Sequence, residues 1–364
     1  MSDAVTYKYL LAANTVCARY FERVDFVEPH GNGHINDTFR VCGDRGECVL
    51  QRINPNVFKR PDWVMDNIVM VTDYLRARLD ERGNAEEREA LSLLRTLDGE
   101  CYVTDADGAV WRLYPYIGGS RSYDVAPDAL TVERAAACFG RFARLLADFP
   151  AQKLRVTIRD FHNTAARVKA LEMAARQDVC DRLDGARRIL DGYLDRAHLG
   201  EQFAAACGAL RQRVVHNDTK LSNVLFDRAT GEGLCVIDLD TVMTGYIACD
   251  FGDGIRSCAA TDGEDAATAG LHPERYEAFT RGYLSALGGE LTRDEFNALV
   301  PGALAMTYEC GVRFLTDYLM GDVYFKTAYD RHNLARATNQ LSLLCDMEAR
   351  RREMEETARR LYFS

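Results

Sequence analysis

Two short apolar runs, Val214-Val215 and Val224-Leu225-Phe226, bracket the loop His216-Asn217-Asp218-Thr219-Lys220-Leu221-Ser222-Asn223, and a third run, Cys235-Val236-Ile237, ends on Asp238. Apolar runs this short and this rich in β-formers read as strands. The carboxylates and the amide therefore fall in a tight loop and at a strand end, where no regular element buries them. They are placed for a ligand.

The spacing His-x-Asp-x-x-x-x-Asn followed by a strand-end Asp is that of a phosphoryl-transfer site. It matches the catalytic loop and metal aspartate of kinase-type enzymes, with Asn217 in place of the usual Arg. Moving a γ-phosphoryl group requires an acceptor hydroxyl held in line and divalent metal spread over the phosphate oxygens. Asp218 is the expected base for the hydroxyl proton. Asn223 and Asp238 are the expected metal ligands, because hard Mg²⁺ takes oxygen donors and keeps several waters. His216 is expected to brace the loop rather than react. A hairpin with solvated polar tips is the bland alternative, and an ordered set of four residues between strands argues against it.

The literal letters Asp-Phe-Gly at Asp250-Phe251-Gly252 invite a different metal assignment. Asp238 follows Asn223 by fifteen positions and ends a strand, whereas Asp250 lies twenty-seven positions on, after Thr244-Gly245 opens a loop. Asp250 reads instead as a capping or loop-bracing carboxylate for the segment Phe251 to Cys258.

With 364 residues, 47% of them hydrophobic, the chain can bury a substantial core and make two lobes. No run of eighteen apolar residues occurs, and Met1 to Phe21 reads as an amphipathic helix without the features of a signal peptide. Twelve cysteines without a Cys-x-x-Cys pair suggest neither zinc nor a disulfide framework and fit a reducing, cytoplasmic setting. A net charge of −10 disfavours nucleic acid; the basic triplet Arg350-Arg351-Arg352 sits among Glu348, Glu353, Glu355 and Glu356, as on a solvated helical face. Neither nucleic acid nor membrane is an expected partner.

Upstream, Val24 to Glu28 and Thr38 to Cys42 read as strands flanking Gly31-Asn32-Gly33-His34-Ile35-Asn36. Gly31 and Gly33 are cofactor-binding candidates because glycines let backbone amides approach phosphates, although Gly-Asn-Gly is also a common hairpin connection. Cys48 to Ile53 is a third strand ending in a cation, Arg52, where a kinase keeps a phosphate-binding Lys; Gln51 lies on the opposite face. The competing view of Arg52 is an edge arginine in solvent. A helix follows from about Asp62 to Arg82, with Val64, Ile68, Val71 and Leu75 at helical spacing. Trp111 to Tyr116 is a strand running into Pro115 and Gly118-Gly119, the lobe boundary, with Tyr116 placed for a purine. This divides the chain into a nucleotide-binding lobe, 1–116, and a catalytic lobe, 117–364. Further helices are expected at about Leu130 to Asp148, at Phe161 to Ala175, and through most of the stretch from Tyr276 onward. Within the last, Glu309, Arg313 and Asp317 share a helical face, either as a surface ion-pair ladder or as a charged stripe facing a cleft.

Together these segments resemble the aminoglycoside/choline phosphotransferase family, and more closely its N-acetylhexosamine 1-kinases. The resemblance is carried by Gly31 to Asn36, Leu50-Gln51-Arg52, His216 to Asn223, Ile237 to Thr241, Asp250 to Asp253, Glu309 to Phe314 and Gly321 to Phe325. It implies an α+β, bilobal, protein-kinase-like fold with a small, mainly β N-lobe and a larger, mainly helical C-lobe. It further implies ATP, Mg²⁺ and phosphorylation of the anomeric hydroxyl of N-acetylglucosamine or N-acetylgalactosamine to the sugar 1-phosphate. His34, Asp218, Arg313 and Tyr324 would contact the sugar, the lobe 117–364 being the catalytic and sugar-binding one, while Asn223 and Asp238 would hold the metal. The third strand departs from the kinase pattern by ending Gln51-Arg52 without a Lys. A kinase of choline, homoserine or an aminoglycoside is the alternative on the same fold. Cationic substrates favour an acidic cleft, and the set His34, Arg313 and Tyr324 favours a neutral or anionic acceptor.

Overall fold

Antiparallel strands joined by short turns dominate the first part of the chain. A computed structural model describes residues 9–31, 35–81, 83 and 87–363. Helix α1 (Leu10–Cys17) leads into β1 (Val24–Pro29), β2 (Asp37–Gly43) and β3 (Gly46–Arg52), followed by α2 (Pro61–Asp80), β4 (Val103–Thr104) and β5 (Val110–Pro115). The strands form one antiparallel sheet in the order β1-β2-β3-β5-β4.

Alternation along these strands sorts their side chains into two faces. Phe39 and Val41 of β2, Cys48 and Leu50 of β3, and Trp111 and Leu113 of β5 share one face and pack with Ala13, Val16, Cys17, Tyr20 and Phe21 around α1. The other face carries Thr38, Gln51 and Arg112 in register across the three strands. Pro61, with its φ preset for a first helical turn, and Asp62 open α2, which buries Val64, Ile68, Val71 and Leu75 as its periodicity predicts.

The chain divides into two compact units. The first comprises Met1–Ser120, Gln152–Arg159 and Leu234–Met243; the second comprises Arg121–Ala151, Asp160–Gly233 and Thr244–Ser364. This differs from the single cut after residue 116 expected from the sequence. The physical reason is that later segments are hydrogen-bonded into the first unit: Asn67 Nδ2 of α2 donates to the carbonyls of Arg155 (2.8 Å) and Val242 (2.9 Å).

After the short strand β6 (Ser120–Arg121), helices α3 (Ala129–Leu145), α4 (Thr164–Gln177), α5 (Leu183–Leu194) and α6 (Ala197–Cys207) precede β7 (Arg213–Val215), β8 (Val224–Asp227), β9 (Gly233–Val236) and β10 (Met243–Gly245). Helices α7 (Ile247–Cys258), α8 (Pro273–Leu287), α9 (Arg293–Asn297), α10 (Leu299–Leu319), α11 (His332–Ala349) and α12 (Arg351–Tyr362) complete the second unit. Helix α10 is its axis, buried along most of its length against α4, α6, α7 and α11. Its approach to α7 depends on glycine, since a Cβ at Gly252 would stand 2.5 Å from the Gly302 carbonyl oxygen.

The basic triplet is neutralised within its own helical turns and their surroundings, Arg350 by Asp346 and Glu353, Arg351 by Glu355 and Arg352 by Glu356. All twelve cysteines are free thiols. Among the described residues no helix is long and apolar enough to cross a membrane.

Candidate active site

The loop between β7 and β8 is fastened from beneath by one helix. Asp250, in the first turn of α7, accepts the backbone N–H of His216 (2.8 Å) and of Asn217 (2.7 Å) on its two carboxylate oxygens. One turn on, Asp253 Oδ2 accepts the N–H of Thr219 (2.8 Å), and the Thr219 hydroxyl donates to the Asp250 carbonyl (2.6 Å). Asp253 is in turn held by Arg256 at 2.8 Å, and Arg256 pairs with Glu264. Asp250 therefore braces the loop, as one of its two expected roles has it. It does not cap α7, whose N-cap is Tyr246. Phe251 and Gly252 are packing residues, Phe251 buried against Phe279 and Tyr283.

His216 is fully buried, its ring edge-on to Phe139 and Phe142, and its Nδ1 accepts the N–H of Asp218 (3.2 Å). Asn217 takes a left-handed backbone (φ 65°), a conformation Asn tolerates better than most residues. The reversal delivers Asp218 from the buried His to a partly exposed position, with 29% of its side chain open.

Asp218 is held on both sides. Asn223 Nδ2 donates to its backbone carbonyl (2.8 Å) and to Oδ2 (2.9 Å), and Lys220 Nζ stands 2.8 Å from the same oxygen. Burial works to raise the Asp218 carboxyl, but the Lys220 ammonium, His216 and Asn223 together outweigh it and hold it down to about 2. Lys220 was not singled out from the sequence. The signal was a cation two residues past the expected base. The Asn223 amide nitrogen is thus taken up by Asp218.

In the first unit, Asp238 follows β9 in a left-handed conformation (φ 62°, ψ 60°) that opens a short 3₁₀ turn over Leu239–Thr241. Two residues on, Asp240 is only 2% exposed and anchors this turn. It pairs with Arg112 Nη1 at 2.5 Å and accepts Asn36 Nδ2 at 2.7 Å. Arg112 also donates from Nε and Nη2 to Gln51 Oε1, at 3.1 and 2.9 Å. Gln51 thus stands in register with a buried cation one strand over. The sequence hint was a charged residue inside the apolar run Val110-Trp111-Arg112-Leu113.

The Asp238 carboxylate in the first unit and the Asn223 amide oxygen in the second are each of a donor type that a hard divalent cation takes. Among the described residues no group of three or more His, Cys, Asp or Glu forms an alternative metal cluster.

Arg52 lies on the other face of β3 from Gln51. Its guanidinium pairs with Asp37 at 3.3 Å and sits 4.0 Å from the Tyr9 ring centroid, with only 13% of the side chain exposed, so it is no solvated edge arginine. Tyr116 meets His30 edge-on at 5.9 Å and lies under the Arg40 guanidinium at 5.2 Å. Gly31 has φ 72° with open space where a Cβ would be. Gly33 and His34 lie outside the described residues.

The charged stripe of α10 is not a surface ladder. Glu309 is 1% exposed and accepts from Thr164 Oγ1 (2.7 Å) while meeting His162 Nδ1 at 2.8 Å. Asp317 accepts the N–H groups of Val323, Tyr324 and Phe325 and the Asn333 amide, which fixes the segment after α10. Between them Arg313 lies against three aromatic rings, Phe161 at 5.0 Å, Phe325 at 5.4 Å and Tyr324 at 5.9 Å, with Tyr324 itself 41% exposed. The structure thus brings Arg313 and Tyr324 together, and separately joins Asp218 to Asn223.

Residues 27–294 match the model of the phosphotransferase enzyme family. The fold is similar to that of an aminoglycoside phosphotransferase from Alicyclobacillus acidocaldarius (13% identity, 96% of each chain covered, TM-score 0.59). It is similar also to aminoglycoside 2′-phosphotransferase-IIIa, solved as a GDP complex (16% identity, 94% of this chain and 99% of that one, TM-score 0.60). A choline kinase from Cryptosporidium parvum matches over 100% of both chains at 11% identity and a TM-score of 0.57. These likenesses show a shared α+β, protein-kinase-like fold.

Proposed function

The chain belongs to the phosphotransferase enzyme family, and from that premise we propose that it transfers the γ-phosphoryl group of ATP to the anomeric hydroxyl of an N-acetylhexosamine. The coarser activity, phosphorylation of a small hydroxyl compound, follows from the family. The sugar is our reading of the acceptor side.

The observation that carries it is the disposition of charge around α10. Glu309 and Asp317 are both turned to protein partners, while Arg313 presents its guanidinium among aromatic rings. Such a surface offers donors and aromatic faces, which suit the hydroxyls, acetamido carbonyl and apolar ring face of an amino sugar. A quaternary ammonium or a polyamine favours the opposite, an acidic lining.

Asp218 is ionised throughout the ordinary pH range and would accept the hydrogen bond of the attacking hydroxyl. A carboxylate this weakly basic suffices where proton transfer lags behind a loose phosphoryl transition state, and the anomeric hydroxyl is more acidic than an ordinary alcohol. Asn223 and Asp238 would hold Mg²⁺, which when bound neutralises charge on the phosphate oxygens. Nucleotide would lie in the first unit, with Gly31, Gly33, Arg52 and Tyr116 as proposed contacts; His34, Arg313 and Tyr324 would contact the sugar.

The test is ADP release with ATP and Mg²⁺ across N-acetylglucosamine, N-acetylgalactosamine, choline, homoserine and kanamycin. Turnover of the two acetylated sugars supports the proposal. Turnover confined to the other three retains the phosphotransferase and removes the sugar.

A further inference from the structure

Phe161 gathers three nitrogen-bearing side chains. The Arg313 guanidinium lies over its ring, the His162 ring meets it at 4.6 Å, and its carbonyl accepts from Arg167 Nη2 at 3.3 Å. The carboxylates beside them are already occupied, Glu309 by His162 and Thr164, Asp317 by three backbone amides and Asn333. Among the described residues neither Arg167 nor Arg313 has a carboxylate partner within ion-pair distance. Burial, then the like charge of Arg313, pulls the Arg167 guanidinium down.

Two buried nitrogen atoms in this cluster, Arg167 Nε and His162 Nε2, have no hydrogen-bond partner among the described residues. Buried polar atoms are ordinarily paired, and an orphan costs the full desolvation of the group. With Nδ1 facing the Glu309 carboxylate, that nitrogen carries a proton, and Arg167 Nε is a donor by its chemistry. Two guanidiniums and an imidazole gathered at Phe161 make a set for an oxygen-bearing ligand.

We infer that Arg167, with Arg313 and His162, forms a cationic acceptor subsite that takes the acceptor through an oxygen atom, of an amide, a carboxylate or a phosphate, and turns away amines. This rests on the reading of Asp218 as the group that faces the acceptor hydroxyl. Arg167 is then a specificity residue, and replacing N-acetylglucosamine by glucosamine, which carries an ammonium on the same ring, sets a positive charge against two guanidiniums.

The experiment is steady-state kinetics of the full chain with ATP and Mg²⁺ on N-acetylglucosamine, glucosamine, glucuronate and glucose 6-phosphate. The wild type is compared with Arg167→Gln, Arg167→Lys and Arg167→Glu, and with Arg176→Gln, an exposed position on the same helix, as control. Thermal melts identify variants that fail to fold. Expected is a loss in kcat/KM of roughly 10- to 100-fold in Arg167→Gln, carried mostly by KM. Arg167→Lys should recover part of it, Arg167→Glu should narrow the preference over glucosamine, and Arg176→Gln should change nothing. An unaltered KM in a folded Arg167→Gln protein overturns the inference and leaves the sugar reading standing. Turnover of only the carboxylate or phosphate acceptor, sensitive to Arg167, upholds the inference and removes the acetylated sugar. A wild type that prefers glucosamine overturns the inference outright.

Discussion

The Arg112 guanidinium and the Asp240 carboxylate meet at 2.5 Å, both almost wholly buried, and join β5 to the turn that presents Asp238. Removing one partner of such a pair strands the other charge, at a cost of about 3–5 kcal/mol, whereas removing both costs far less. Arg112→Met and Asp240→Asn should therefore each lower the urea midpoint sharply, and Arg112→Met with Asp240→Leu should recover much of the loss. Equal, additive losses in the double variant would show that the pair is not the anchor.

Asp250 and Asp238 are told apart by metal dependence. Asp238→Asn should raise the Mg²⁺ concentration needed for half-maximal rate, because it weakens a proposed ligand. Asp250→Asn should leave that concentration near the wild-type value and lower kcat by roughly 10- to 100-fold, since it loosens only the bonds to His216 and Asn217. A Mg²⁺ titration of both variants decides it, and a large shift in Asp250→Asn would return the metal to that residue.

Lys220 governs the protonation of Asp218. Its ammonium, with His216 and Asn223, outweighs the upward pull of burial and holds the carboxyl down to about 2, so the wild type should show no acid limb from Asp218 above about pH 3. In Lys220→Met burial is no longer opposed by the ammonium, the pKa rises, and the acid limb of kcat/KM should move upward by about one unit or more. Superimposable pH profiles would sever the link.

The strand that delivers the catalytic loop starts at Arg213, whose guanidinium is held by Glu295 at 2.6 Å and 2.9 Å. Burial pushes the Glu295 carboxyl up, but the Arg213 bonds and the Thr292 N–H outweigh it and bring it from 4.5 to about 2. A depressed carboxylate stabilises the fold above its unfolded pKa, and the contribution fades as pH falls from about 4.5 toward 2. Its size is roughly 3 kcal/mol. Acid denaturation followed by circular dichroism should steepen over this window in the wild type and flatten in Glu295→Gln, which should already be less stable at neutral pH.

What the sequence made legible was local. Fixed spacing singled out Asp218, Asn223 and Asp238 as candidates, and helical periodicity identified α2 through Val64, Ile68, Val71 and Leu75. The partners that hold these residues were not legible, because they come from distant parts of the chain. Arg112 reaches Asp240 through strand order, Asp253 reaches Thr219 across a helix turn, and Arg213 reaches Glu295 through the packing of the helical unit. The Glu309, Arg313, Asp317 stripe shows the same limit: its spacing allowed a surface ladder, and only the approach of α4 makes Glu309 a buried partner of His162 and Thr164.

The most direct test of the account is phosphorus NMR of the product formed from N-acetylglucosamine or N-acetylgalactosamine with ATP and Mg²⁺. A phosphate coupled to the anomeric proton, formed by the wild type and absent with Asp218→Asn, is the predicted result. No sugar phosphate, or one carried on a different hydroxyl, would contradict the account.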